Sequence, residues 1–156
     1  MTVKLQLLLV LSLLVNSALL KAQEHGVDST LNQFHQAASE ADAVRYFSLL
    51  ADNAVFIGTD ATERWDKAAF ERFAKPYFDA GKGWTYQPRD RHISFSSDNK
   101  VAWFDELLDS KSYGECRGTG VLVLTPTGWK ITQYHLTIPI PNTLAKQVVT
   151  LIKQGN

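Results

Sequence analysis

The side chains able to move protons or hold charge gather in the last third of the chain. In "GWKITQYHLT" (128–137), Trp129 and Ile131 fall on one side of a strand, and strict alternation carries Gln133 and His135 onto that same side. An imidazole suits general acid/base work near neutral pH. The strand before it brings Arg117, and the one before that brings Asp105 and Glu106, so the chemistry on offer is a carboxylate–imidazole pair beside a guanidinium. Arg117 would stabilise a developing oxyanion or enolate. The catalytic candidates are therefore His135, Asp105, Glu106 and Arg117, and the candidates for holding a ligand are Asp60, Trp65, Trp103, Trp129 and Gln133. His25, His35, His92 and His135 show no metal-ligand spacing, and neither a metal nor a cofactor is expected.

Turn chemistry sets the register of that region. Pro126 and Gly128 in "TPTGW" suit a three-residue loop closed by a bulge. Thr125 then faces Trp129, and counting back sets Val123 beside Ile131, Val121 beside Gln133, Thr119 beside His135 and Arg117 beside Thr137. Opposed residues share a side of the sheet. One side thus runs from Trp129, Ile131, Val121 and Val123 to Arg117, Thr119, Gln133 and His135, an apolar lining with a polar end, as small-ligand pockets have. The turn near "DSKSY" puts Arg117 opposite either Asp105 or Glu106, and with Asp105 the Trp103 ring joins the lining. Plainer roles fit the same residues: His135 as a satisfied core histidine, Arg117 in a structural ion pair, Asp60 in an ordinary turn, Glu63 and Arg64 as a solvated pair.

The elements that must position these groups divide into a helical first half and a strand-rich second half, which predicts an α+β fold. A helix capped at Asp28 or Ser29 lays Leu31, Phe34, Ala38 and Ala41 on one stripe. Asp42 caps a second, with Val44 and Phe47 on one face, and "AVFIG" follows as a short strand. Asp66 caps a third with Phe70, Phe73, Tyr77 and Phe78 on one side, and Pro76 kinks or ends it at Lys75. From Trp84 onward, "WTYQP", "RHISFSS", "KVAWFDELLD", "YGECRGTGVLVLT" and "GWKITQYHLTI" read as strands of an antiparallel meander separated by turn residues. "PIPN" breaks the last strand, and Asn142 caps a terminal helix bearing Leu144, Val148, Leu151 and Ile152. Such a sheet must curl round the helices and bury one face against them.

"GTDATERW" (58–65), "AWFDE" (102–106), "RGTGVL" (117–122), "GWKITQYHLT" (128–137) and "PIPN" (139–142) resemble, in order and spacing, the SnoaL-like branch of the nuclear-transport-factor-two-like superfamily. The resemblance runs from about Ser29 to the last helix. It implies an α+β cone, with helices in the concavity of a strongly bent antiparallel sheet, a pocket at the wide end and often a homodimer through the sheet. It transfers no catalytic residue, since the superfamily hosts cyclases, isomerases, dehydratases and non-catalytic modules alike.

Residues 1–22 read as a secretory signal peptide: Lys4, an apolar run from Leu5 to Val15, and a small-residue exit cleaved after Ala18 or Ala22. Asn16 and Ser17 interrupt the run before it reaches the length of a spanning helix. A periplasmic or secreted protein is expected, touching membrane only through that signal, with residues 23–156 as one domain. Removing Lys4 and Lys21 from 16 basic residues leaves 14 against 16 acidic, interspersed, and this argues against nucleic acid as a partner. Cys116 is the only cysteine, so no internal disulfide forms. Three functions fit: acid/base chemistry of isomerase, cyclase, dehydratase or hydrolase type on a small apolar substrate, a periplasmic ligand-binding module walled by Trp103, Trp129 and Trp65, or an assembly module.

Overall fold

Helix α1 (Thr2–Ser39) opens the computed structural model, which describes the backbone of residues 2–155 and the side-chain surroundings of residues 19–155. Its Val27, Leu31, Phe34 and Ala38 form a buried stripe. The expected start at Asp28 or Ser29 is not used. The helix passes through both, and Asp28 turns its carboxylate to Arg91 instead. It also passes through Ala18 and Ala22, while the side chains of the apolar run Leu5 to Val15 lie outside the described residues. Among the described residues, no helix is long and apolar enough to cross a membrane.

Both short-range caps form. The Asp42 carboxylate accepts from the Arg45 N–H (3.0 Å) to start α2 (Ala43–Ser48), and Asp66 accepts from Ala69 (2.7 Å) to start α3 (Lys67–Asp79). In α2 the core face carries Tyr46 and Phe47, whereas Val44 is 85% exposed, because one turn of helix cannot bring Val44 round to the same neighbours. α3 continues through Pro76 to Asp79; the proline costs only a bond close to the end of the helix. Phe70, Ala74 and Phe78 are buried, and Phe73 and Tyr77 stand half exposed at the flank.

The strands are β1 (Leu50–Ile57), β2 (Arg64–Asp66), β3 (Tyr86–Phe95), β4 (Val101–Ser110), β5 (Gly114–Thr125) and β6 (Gly128–Thr137), followed by helix α4 (Ala145–Gly155). They form one curved sheet in the order β2-β1-β6-β5-β4-β3; the last four make an antiparallel meander as expected, except that "WTYQP" and "RHISFSS", read as two strands, run on as the single β3. β1 lies parallel to β6, which makes the sheet mixed. Helices α1, α2 and α3 fill the concave side, where Phe34, Tyr46, Phe70, Phe104, Leu122 and Ile131 build the core. α4 begins beyond Asn142 and buries none of its residues.

Candidate functional site

One bulge decides which side chains enter the concavity. Thr125 pairs with Gly128, a two-residue turn where a three-residue loop was expected, and β6 then carries Thr132 as an additional residue between Ile131, opposite Leu122, and Gln133, opposite Val121. The two offsets cancel, so the expected pairs of Thr119 with His135 and Arg117 with Thr137 do form. A bulge of one residue nevertheless reverses the in–out alternation beyond it. Trp129 and Ile131 face the helices before it, and Tyr134 and Leu136 face them after it.

Inside the concavity a strand carboxylate meets a helix imidazole. Glu106 of β4 is fully buried, and its Oε1 lies 2.6 Å from Nε2 of His35 on α1. The Tyr134 hydroxyl donates to the same oxygen at 3.4 Å, and Oε2 accepts from Arg91 Nε on β3 at 2.7 Å. Arg91 Nη1 in turn donates to Asp28 Oδ1 (2.6 Å) and Asn32 Oδ1 (2.8 Å), so the network ties α1 to the sheet. Burial alone would push the Glu106 carboxyl up; the hydrogen bond from His35 and the charges of His35 and Arg91 outweigh it and hold the group below its ordinary value. An ionised Glu106 can only accept, so His35 donates to it from Nε2, and whenever the ring is neutral the lone pair is on Nδ1. Nδ1 makes no hydrogen bond to a described residue and is not among the buried unpartnered atoms.

Room for Glu106 and Tyr134 comes from "RGTG". A Cβ on Gly118 would stand 2.5 Å from the Tyr134 hydroxyl and 3.0 Å from Glu106 Oε1, and one on Gly120 would meet Phe104 at 2.7 Å. The concave face of β5 thus supplies backbone where the neighbouring strands supply large side chains.

His35 and Tyr134 form part of the wall of a cavity of about 210 Å³. An apolar cavity of roughly 150 Å³ holds benzene, so this one has space for a small molecule built on one ring or two. Its other walls are aromatic. Phe56 stacks between Phe70 (3.9 Å) and Tyr134 (5.5 Å), while Trp65 and Trp84 close two further sides. Tyr46 also lines it, and burial pushes its pKa well above the ordinary value, more than the hydrogen bond with the Trp84 indole lowers it. At the rim, the β1–β2 loop contributes Gly58, Thr59 and Glu63.

The residues singled out from sequence distribute differently. Glu106 and Trp65 belong to this region. His135 and Gln133 do not, because the Thr132 bulge turns them to the outer face, His135 half-buried and Gln133 exposed. Arg117 is exposed on that same outer face, opposite Leu107 rather than Asp105 or Glu106, and makes no ion pair among the described residues. Asp105 and Trp103 share the outer face, where Trp103 is 49% exposed. Trp129 is buried, but against Gly26 and Phe95 at the far end of the sheet. Asp60 is exposed; hydrogen bonds from the Thr62 hydroxyl and backbone hold its carboxyl below the ordinary value and occupy it within its own turn.

Glu106 was a candidate from the sequence, whereas His35 and Tyr134 escaped it, although His35 left a trace there. His35 follows Leu31 by four and stands within the stripe of Phe34 and Ala38, a polar residue on a core face. Glu106 continues the period-two series Ala102, Phe104, Leu108, a charge where the strand's inner face should be apolar. Tyr134 left none, since its position depends on the bulge.

A family model described as SnoaL-like domain matches residues 27–141. No curated protein matches the sequence. Among solved structures, an NTF2-like protein of unknown function from Pseudomonas putida KT2440 superposes with a TM-score of 0.66 at 15% identity over 78% of this chain and 90% of that one. A protein of the NTF2-like family from Streptomyces avermitilis, for which dehydratase activity has been put forward, gives 0.63 at 16% identity over 75% and 96%. An NTF2-like protein with a cystatin-like fold from Novosphingobium aromaticivorans gives 0.65 at 11% identity over 86% and 93%. At these identities the likeness is one of fold.

Proposed function

The chain belongs to the SnoaL-like domain family, and from that premise we propose that it is an acid/base enzyme of dehydratase or isomerase type, with His35 moving a proton on a small planar substrate held in the aromatic cavity. The observation that carries this reading is the 2.6 Å contact between His35 Nε2 and the buried Glu106 at the cavity wall. Glu106 fixes the tautomer and stabilises the imidazolium that forms when Nδ1 takes a proton from a C–H or O–H group. The same nitrogen then returns the proton to a neighbouring atom or to a departing hydroxyl. The dehydratase activity put forward for the Streptomyces relative supports this class of reaction.

The test is an NMR screen in heavy water of β-hydroxy ketones and enones for deuterium exchange or loss of water. On a substrate so found, His35→Ala should lower kcat by about 10²- to 10⁴-fold while changing the ligand Kd less than about threefold. A variant that keeps wild-type turnover removes His35 as the acid/base group, and a screen in which nothing is turned over sinks the enzyme reading and leaves a binding module. The signal-like stretch from Lys4 to Val15 supports export of this activity from the cytoplasm, and the Trp103 ring exposed on the outer face of the sheet supports pairing with a second copy there. N-terminal sequencing of the protein from its native host checks the first, light scattering the second.

A further inference from the structure

The cavity contains one charged group that proton transfer by His35 does not use. Glu63 lines it from the β1–β2 loop, so close against Gly58 that any side chain at that glycine would collide with the carboxylate. One of its oxygens, Oε2, accepts from the Asp60 N–H at 3.1 Å; the other has no partner among the described residues. Glu63 makes no salt bridge among the described residues, not even with the adjacent Arg64. Deeper in, Glu106 is already neutralised by Arg91. No lysine or arginine lines the cavity, while Phe56, Trp65, Phe70, Phe73 and Trp84 offer it their rings.

These features select a ligand by charge. An anion would meet Glu63 with no cation to offset the repulsion and would leave water for aromatic faces whose negative quadrupole repels it. A cation gains from both, from the uncompensated carboxylate and from rings of the type that bind ammonium groups. Resting on the reading of this cavity as the substrate site, we propose that its ligands carry a cationic nitrogen on a small aromatic or otherwise planar body, with Glu63 as the specificity-determining residue that receives the ammonium group at the rim.

Three probes of one shape separate the alternatives: 2-phenylethylamine, the neutral 2-phenylethanol and the anionic 3-phenylpropionate. They are titrated against the full chain with intrinsic tryptophan fluorescence, Trp65 and Trp84 being the reporters at the cavity. The amine should bind at least about tenfold more tightly than either partner, a difference of about 1.4 kcal/mol. That preference should shrink as salt is raised from about 10 to 500 mM, because a charge at the half-buried rim is still screened. Glu63→Gln, which retains an acceptor for the Asp60 N–H, should bring amine and alcohol within about threefold. Equal affinities in the wild type, tighter binding of the acid, an unchanged ratio in Glu63→Gln, or no binding of any probe at about 10 mM would each overturn the proposal. If Glu63→Gln misfolds, the salt dependence of the wild type decides alone. Amine preference without His35-dependent turnover would leave this inference standing and remove the acid/base reading; His35-dependent turnover of a neutral or anionic substrate, with no amine preference, would do the reverse.

Discussion

Glu106→Gln tests whether the buried carboxylate organises both the fold and the site. In the native protein Glu106 is fully enclosed, and Arg91, with a side chain only 8% exposed, depends on it for neutralisation. Removing one partner of a buried ion pair costs roughly 3–5 kcal/mol. Asp28 still lies 2.6 Å from Arg91 Nη1 and keeps part of the charge compensated, which points to the lower end, about 3 kcal/mol. For a chain of this length each kcal/mol moves Tm by about 2–4 °C, so the melting temperature should fall by roughly 6–12 °C. The pH dependence fixes the cause. The folded carboxyl is held below its unfolded value, so the unfolded chain takes up the proton first; the stabilisation is present above the unfolded carboxylate pKa and is lost as pH falls through the folded one. Urea unfolding followed by tryptophan fluorescence, repeated from about pH 7 down to about pH 4 and lower, the range below an ordinary carboxylate, should show the gap between wild type and variant closing with acid. A loss under about 1 kcal/mol at neutral pH, against the roughly 3–5 kcal/mol a broken buried pair costs, would refute the reasoning, as would a gap that ignores pH.

Gly118→Ala should cost about 1–3 kcal/mol by overpacking, because the new methyl reaches into the Tyr134 hydroxyl and Glu106 Oε1; chemical denaturation measures the loss, and kcat on any substrate found should drop with it as the carboxylate behind His35 is displaced. His135→Ala should leave stability within about 0.5 kcal/mol and turnover unchanged, since the ring sits half-buried on the outer face without a side-chain hydrogen bond among the described residues. A larger loss in the same denaturation experiment would restore His135 to a structural role, and a fall in turnover to a catalytic one.

The elements were legible wherever local chemistry dictates them. Asp42 and Asp66 cap their helices because an aspartate ahead of a helical run accepts an N–H three residues on, a contact that needs no distant neighbour. The meander follows from strands too closely spaced to pair any other way, and the five motifs from "GTDATERW" to "PIPN" were enough to indicate the family. The site was not legible to the same degree. Alternation along β6 holds only while the ladder is regular, and the extra residue Thr132 exchanges Gln133 and His135 for Tyr134 and Leu136 on the inner face. Nothing local marks that residue, since the bulge is settled by pairing with β5 on one side and β1 on the other. His35 and Glu106 stand 71 residues apart and become partners only when α1 packs into the concavity. By itself the sequence determined the capped helices, the meander and the family, though not β2 or the course of α1 through Asp28; only the tertiary structure decided which carboxylate meets which imidazole, because that contact depends on the packing of α1 across the sheet and on sheet parity.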